Sequence, residues 1–196
     1  KMLADELGLD FDKEINHQLR GVSRVESLKR IYRHNNRELP PEDAFNAQMA
    51  KKNDKYVDLI GTMKPEDILP GSLELLRGLR DQGIKCAIAS ASKNTPKVLA
   101  ATGLDEHVDG VADGNQAKKS KPDPEVFLLA ANNIGCAPEN CIGVEDAEAG
   151  IEAIQRAHMV SVGIGESAGQ GDLVVGGVAE LSVDILKNLF AEKAAG

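Results

Sequence analysis

An apolar run that ends in two adjacent acids and passes at once into a helical pattern constrains this chain more than any other stretch. Cys141-Ile142-Gly143-Val144 carries no charge, Glu145 and Asp146 follow, and Ile151 and Ile154 are the apolar positions of the helical pattern beyond. A buried parallel strand that delivers two carboxylates at its carboxyl end has this pattern. Open α/β sheets place their ligand sites at that edge. Two buried neighbouring carboxylates repel, and one is pushed to protonate unless a cation neutralises them. Mg²⁺ suits such a place, because it takes oxygen ligands from one or two carboxylates, waters and a phosphate. A solvated acidic first turn of a helix reads the same way, since the helix dipole favours acids there. The stretch alone leaves both readings open, and the rest of the chain decides.

The organisation follows from a change of period. Up to about residue 64 every pattern is helical: Leu3 and Leu7, then 11–19 closed by Gly21, then one apolar face of Val25, Leu28, Ile31 and Tyr32. Ser23-Arg24-Val25-Glu26 has the spacing of a capping box. Pro40-Pro41-Glu42-Asp43 opens a longer helix striped with Phe45, Met49, Tyr56 and Ile60, and Lys52 falls on that stripe. Beyond Ile68-Leu69-Pro70-Gly71 strands and helices alternate: strands at 84–89, 108–112, 141–145 and 159–164, helices between them, and a last helix carrying Val183, Ile185, Leu186 and Leu189. Such alternation predicts an α/β fold with a doubly wound parallel sheet. The expected domains are a helical cap over 1–66 and an α/β core over 67–196, with the glycine-rich 163–177 as a surface loop.

Composition excludes several classes. A net charge of −8 argues against a nucleic-acid or anionic-membrane partner. Three cysteines without a C-x-x-C pair imply neither a disulfide framework nor a zinc site. No apolar run approaches the ~20 residues of a membrane span, and no signal-peptide pattern opens the chain. A cytoplasmic monomer acting on a small molecule is expected. An anionic substrate then needs basic residues set locally into an acidic body.

Two stretches supply them. Ala87-Ile88-Ala89-Ser90-Ala91-Ser92-Lys93-Asn94 brings hydroxyls, backbone N–H groups and a helix start to a strand end, where phosphate binds readily. Ser92 or Asn94 also suits the helix cap there. Ser120-Lys121-Pro122-Asp123-Pro124 frames one lysine with two prolines ahead of a helix. Lys118 and Lys119, and all four histidines, are assigned no role.

A hydroxyl-bearing strand end, a proline-framed lysine and paired acids, in that order, resemble the haloacid dehalogenase superfamily of phosphotransferases. The wording of Gly21-Val22-Ser23-Arg24, Lys52-Asn53-Asp54, 89–94, Ser120-Lys121-Pro122 and Gly143-Val144-Glu145-Asp146 is similar to its β-phosphoglucomutase-like branch. The resemblance implies Mg²⁺ held by Glu145 and Asp146, and a transferred phosphoryl group held by Ser90 and Lys121. It implies a second phosphate gripped by Arg24 with Ala91, Ser92, Lys93 and Asn94, and a cap lysine, Lys52, that reaches the site. The substrate expected is a sugar phosphate, converted between β-glucose 1-phosphate and glucose 6-phosphate through a bisphosphate and an aspartyl-phosphate enzyme. A sugar-phosphate phosphatase and a non-catalytic phosphosugar-binding remnant are the alternatives.

The chain departs from the family pattern in one respect. The family's nucleophile and its general acid/base are the two acids of an Asp-x-Asp that follows a buried strand ahead of the cap, and this sequence shows no such strand. Asp10-Phe11-Asp12 has the spacing, but Leu7-Gly8-Leu9 is too short to be that strand, so a helix-capping turn is expected there. About 20–30 further residues before Lys1, the size of one βα unit, are the corresponding expectation.

Overall fold

The computed structural model of the chain describes residues 1–19 and 21–194, so the last two residues of the expected 67–196 core fall outside the described residues. Four helices come first: α1 (Met2–Glu6), α2 (Lys13–Gln18), α3 (Arg24–His34) and α4 (Glu42–Ile60). Leu3, Ile15, Leu28, Ile31 and Tyr32 form their buried cluster, with Phe45 and Met49 packed against it. Two expected core positions are exposed instead. Val25 is 45% exposed because it sits about a quarter turn off the centre of the α3 face, which Ser27 completes instead. Tyr56 is 43% exposed, since only the amino-terminal half of α4 packs on the cluster.

The remaining elements alternate as the sequence predicts. They are α5 (Ser72–Asp81), β1 (Ala87–Ala89), α6 (Thr95–Thr102), β2 (Gly110–Ala112), α7 (Glu125–Asn133), β3 (Ile142–Glu145), α8 (Glu148–Arg156), β4 (Val160–Ile164), β5 (Leu173–Val175) and α9 (Val183–Ala194). The strand expected over 84–89 shortens to its last three residues. The Ile84 N–H closes α5 onto Leu79 O at 2.9 Å, and the Cys86 N–H goes to the Asp109 carboxylate at 2.8 Å. Within the expected loop 163–177 lies a strand, β5. Asp172 pins its start to β4, accepting from Ser161 N–H at 2.8 Å and from Ser161 Oγ at 2.7 Å.

Every strand pairing is parallel, but the strands form two ladders, β1–β2 and β3–β4–β5. Helices cover both faces. Val126, Phe127, Ile151 and Ile154 of α7 and α8 pack with Ala87, Ala89 and Ala112. On the other face Leu75, Leu79, Leu186 and Leu189 of α5 and α9 pack with Val162, Ile164 and Leu173. Among the described residues β1 and β3 are each hydrogen-bonded along one edge only, and mid-strand Val144 is 41% exposed. No described helix is long and apolar enough to cross a membrane.

Gly143 lets α8 approach β3: a Cβ there would stand 2.5 Å from Ile154 Cγ1. Ile154 is fully buried in the layer that covers both ladders. Ile154→Ala should therefore lower stability by about 2–5 kcal/mol, read as a lower urea midpoint at unchanged slope. A change below about 0.5 kcal/mol, the range of surface substitutions, would show that this layer is not the core.

Candidate active site

Lys121 is the centre of the site. Its residue is 5% exposed, and Nζ donates to Glu145 Oε2 at 2.6 Å and to Ala89 O at 3.4 Å. The same ammonium lies 4.7 Å from the centre of the Phe127 ring, a cation–π contact. One lysine thus spans the carboxyl ends of β1 and β3, placed by the turn that leads into α7. Burial pushes the Glu145 carboxyl above its usual range; Lys121 opposes this, and Asp146, in hydrogen-bonding contact with Glu145, adds to it. Gly150 on α8 gives Glu145 room, because a Cβ there would overlap its carboxylate.

Ser90 to Thr95 form a tightly folded strand-to-helix turn. Ser90 Oγ accepts from Ser92 N–H at 3.2 Å, and Ser92 Oγ accepts from Asn94 N–H at 3.1 Å. The Ala91 N–H has no acceptor among the described residues. Asn94 does not cap α6 with its side chain. It is buried, and its Nδ2 donates to Asn53 Oδ1 of α4 at 2.9 Å. Lys93 projects into solvent.

Among the described residues, Asn53–Asn94 is one of two hydrogen bonds between residues distant in sequence that fasten the helical segment over the α/β segment. The other runs from Ser23 N–H to Ser120 Oγ at 3.3 Å. Ser23 Oγ caps α3 by accepting from Glu26 N–H at 3.3 Å. The expected capping box is only half made, because Ser120 takes the Ser23 N–H and Glu26 pairs with Arg30 and Arg33. Gly21 lies against Ala147, Lys121 and Glu145, at 3.4, 3.5 and 3.9 Å from an ideal Cβ. Arg24 and Lys52 are half-buried neighbours, and neither has an anionic partner among the described residues. Burial, then the Arg24 charge, pushes the Lys52 ammonium below its usual range. Two neighbouring cations in such surroundings favour an anion between them.

Asp10 and Asp12 form the expected capping turn. Asp12 Oδ1 accepts from Ile15 N–H of α2 at 2.8 Å, and the Asp10 backbone pairs with Asn35. Neither is part of the Lys121 cluster. Sequence reasoning gave no role to Asn53, Ser120, Phe127 or Gly150. Asn53 and Ser120 lay inside quoted motifs, and their polar side chains at docking positions were the available signal.

A family model for haloacid dehalogenase-like hydrolases matches residues 3–158. The chain belongs to the haloacid dehalogenase-like hydrolases. Among relatives in that family, β-phosphoglucomutase of Bacillus subtilis (strain 168) is 38% identical over 189 residues, which are 95% of this chain and 84% of that protein. The crystal structure of β-phosphoglucomutase from Clostridium difficile matches at TM-score 0.94 and 38% identity, covering 100% of this chain and 89% of that one. The phosphorylated carbohydrates phosphatase of Thermotoga maritima is 24% identical over 197 residues, 98% of this chain and 88% of that protein. The haloacid dehalogenase-like fold therefore serves both mutases and phosphatases, and the choice between them rests on the site.

Glu145 and Asp146 fit a divalent cation as two of its oxygen ligands, since a cation would relieve two carboxylates already in contact. Among the described residues no third His, Cys, Asp or Glu joins them as a metal-binding group.

Lys121→Met keeps the bulk of the side chain and removes its charge. Leaving Glu145 buried without its cation should cost about 3–5 kcal/mol at neutral pH. Glu145 already titrates above its ordinary 4.5, and the variant raises it further. The folded state then holds a proton that the unfolded state releases. The variant should be most stable below 4.5 and lose stability as pH rises from there through the raised value. Urea unfolding across that range measures it, and a flat difference from the parent protein would contradict it.

Proposed function

We propose that this protein is a Mg²⁺-dependent sugar-phosphate mutase of the β-phosphoglucomutase type, interconverting β-glucose 1-phosphate and glucose 6-phosphate through the 1,6-bisphosphate. The observation that carries the reading is the Arg24–Lys52 pair, a second cationic place distinct from Lys121. A phosphatase needs one phosphate site, whereas a bisphosphate that must be held in either orientation needs two. The 38% identity to a β-phosphoglucomutase supports the same reading.

In this reading Ser90 and Lys121 hold the phosphoryl group being transferred, and Arg24 and Lys52, with the 91–94 turn, hold the other phosphate. Arg24 suits a bidentate phosphate clamp. Residues 1–66 act as the cap, and the Asn53–Asn94 and Ser23–Ser120 bonds seat it, so that water is excluded and a sugar hydroxyl is the favoured acceptor. Glu145 and Asp146 would hold Mg²⁺, which when bound offsets charge on the transferring group. The open edges of β1 and β3 take one further parallel strand, whose carboxyl end carries the phosphoryl-accepting aspartate beside Ser90 and Lys121.

Two tests separate this reading from its alternatives. Inorganic phosphate should raise the melting temperature of the protein, by up to the equivalent of about 2.7 kcal/mol at a hundredfold excess over Kd. In Arg24→Ala most of that shift should vanish. With the phosphoryl-accepting strand in place, the same variant should lose mutase turnover by about 10²-fold or more, yet still take phosphate from acetyl phosphate. Intact turnover would remove the clamp and leave the phosphatase. For the metal, Asp146→Asn should weaken Mg²⁺ binding at least tenfold by calorimetry with the fold unchanged. Equal affinity would remove Asp146 from the ligand set.

A further inference from the structure

The three cysteines are free and half-buried, but they are not equivalent. Cys86 precedes β1, with Asp109 and Arg80 as its charged neighbours. Cys136 and Cys141 sit at the two ends of the connection from α7 to β3. Gly135, at φ +66°, turns the chain out of α7, and Cys136 N–H bonds back to Ala131 O at 3.0 Å. A short 3-10 turn at Pro138–Asn140 then returns the chain, and Cys141 N–H bonds to Pro138 O at 3.0 Å. The Cys141 thiol consequently lies 3.4 Å from Ala137 O, with the Cys136 side chain as its neighbour across the turn. Nothing in the phosphoryl-transfer reading uses either sulfur.

We propose that Cys136 and Cys141 are a modification site, a dithiol that closes to an intramolecular disulfide when the protein meets a peroxide. The thiolate of Cys136 attacks one peroxide oxygen; the O–O bond breaks, and a sulfenic acid and water result. The Cys141 sulfur then attacks the Cys136 sulfur, the S–O bond breaks, and the hydroxyl leaves as water with the thiol proton. Two thiols and one peroxide thus give one disulfide and two waters, and a thiol reductant reverses the closure by exchange. The order of events fits the surroundings: burial, with Cys136 and Glu139 nearby, pushes the Cys141 thiol up, so it suits the resolving role. Closure ties the end of α7 to the residue before β3, the strand whose far end carries Glu145.

The test uses the whole reduced chain, treated with an equimolar amount of hydrogen peroxide and then with N-ethylmaleimide. The expected product has lost two hydrogens and takes one maleimide in place of three, with the label on Cys86. Reduction restores all three reactive thiols. In Cys141→Ser the bridge cannot form, and dimedone capture of a sulfenic acid at Cys136 should rise about tenfold or more over the parent protein. Cys86→Ser should bridge as the parent does. Three labelled thiols after peroxide, sulfinic acid at Cys136 in the parent, or a bridge that includes Cys86 would each overturn the proposal.

Discussion

The Lys121–Glu145 ion pair joins two parallel ladders that share no strand pairing. Removing two charges from water costs several kcal/mol per ion, so such a pair holds only when its remaining bonds are satisfied. Here the ammonium also reaches a strand-end carbonyl and an aromatic face, and Gly150 leaves the carboxylate its space. Small residues around the pair are therefore part of its electrostatics. Any bulk at Gly150 would move the acid and so loosen the lysine that both ladders share.

The position of the helical segment depends on the same turn. Lys121 follows Ser120, and Ser120 receives the Ser23 amide that begins α3. The residue after Ser23 is Arg24, so the bond that seats the segment also sets where the second cationic place lies. On a chain of net charge −8, two neighbouring cations without an anionic partner among the described residues are an exception with electrostatic consequences. Their field is short in range at physiological salt, with a Debye length of about 8 Å, which confines anion attraction to their immediate surroundings.

Much of the site was legible because its residues sit at points where period changes. Glu145 and Asp146 end an apolar strand pattern, and Lys121 stands just ahead of Pro122 and Pro124, which no helix or strand interior tolerates. Other features depend on partners far away in the chain, and sequence spacing carries no trace of them. Asn94 looks like a helix cap until Asn53, 41 residues earlier, claims its side chain. β5 was hidden by flanking glycines, because the restraint that makes it a strand is Asp172 binding Ser161. Val25 lies at the margin of its helix face, and Tyr56 carries the right period on a helix whose neighbours cover only its first half.

Ser23 serves two structures at once. Its hydroxyl caps the start of α3, while its amide is lent to Ser120 in the α/β segment. Glu26, three residues on, stands at the spacing of a reciprocal cap, so the same amide has a second acceptor within its own helix. The helix can exchange an external acceptor for an internal one at nearly equal hydrogen-bond count.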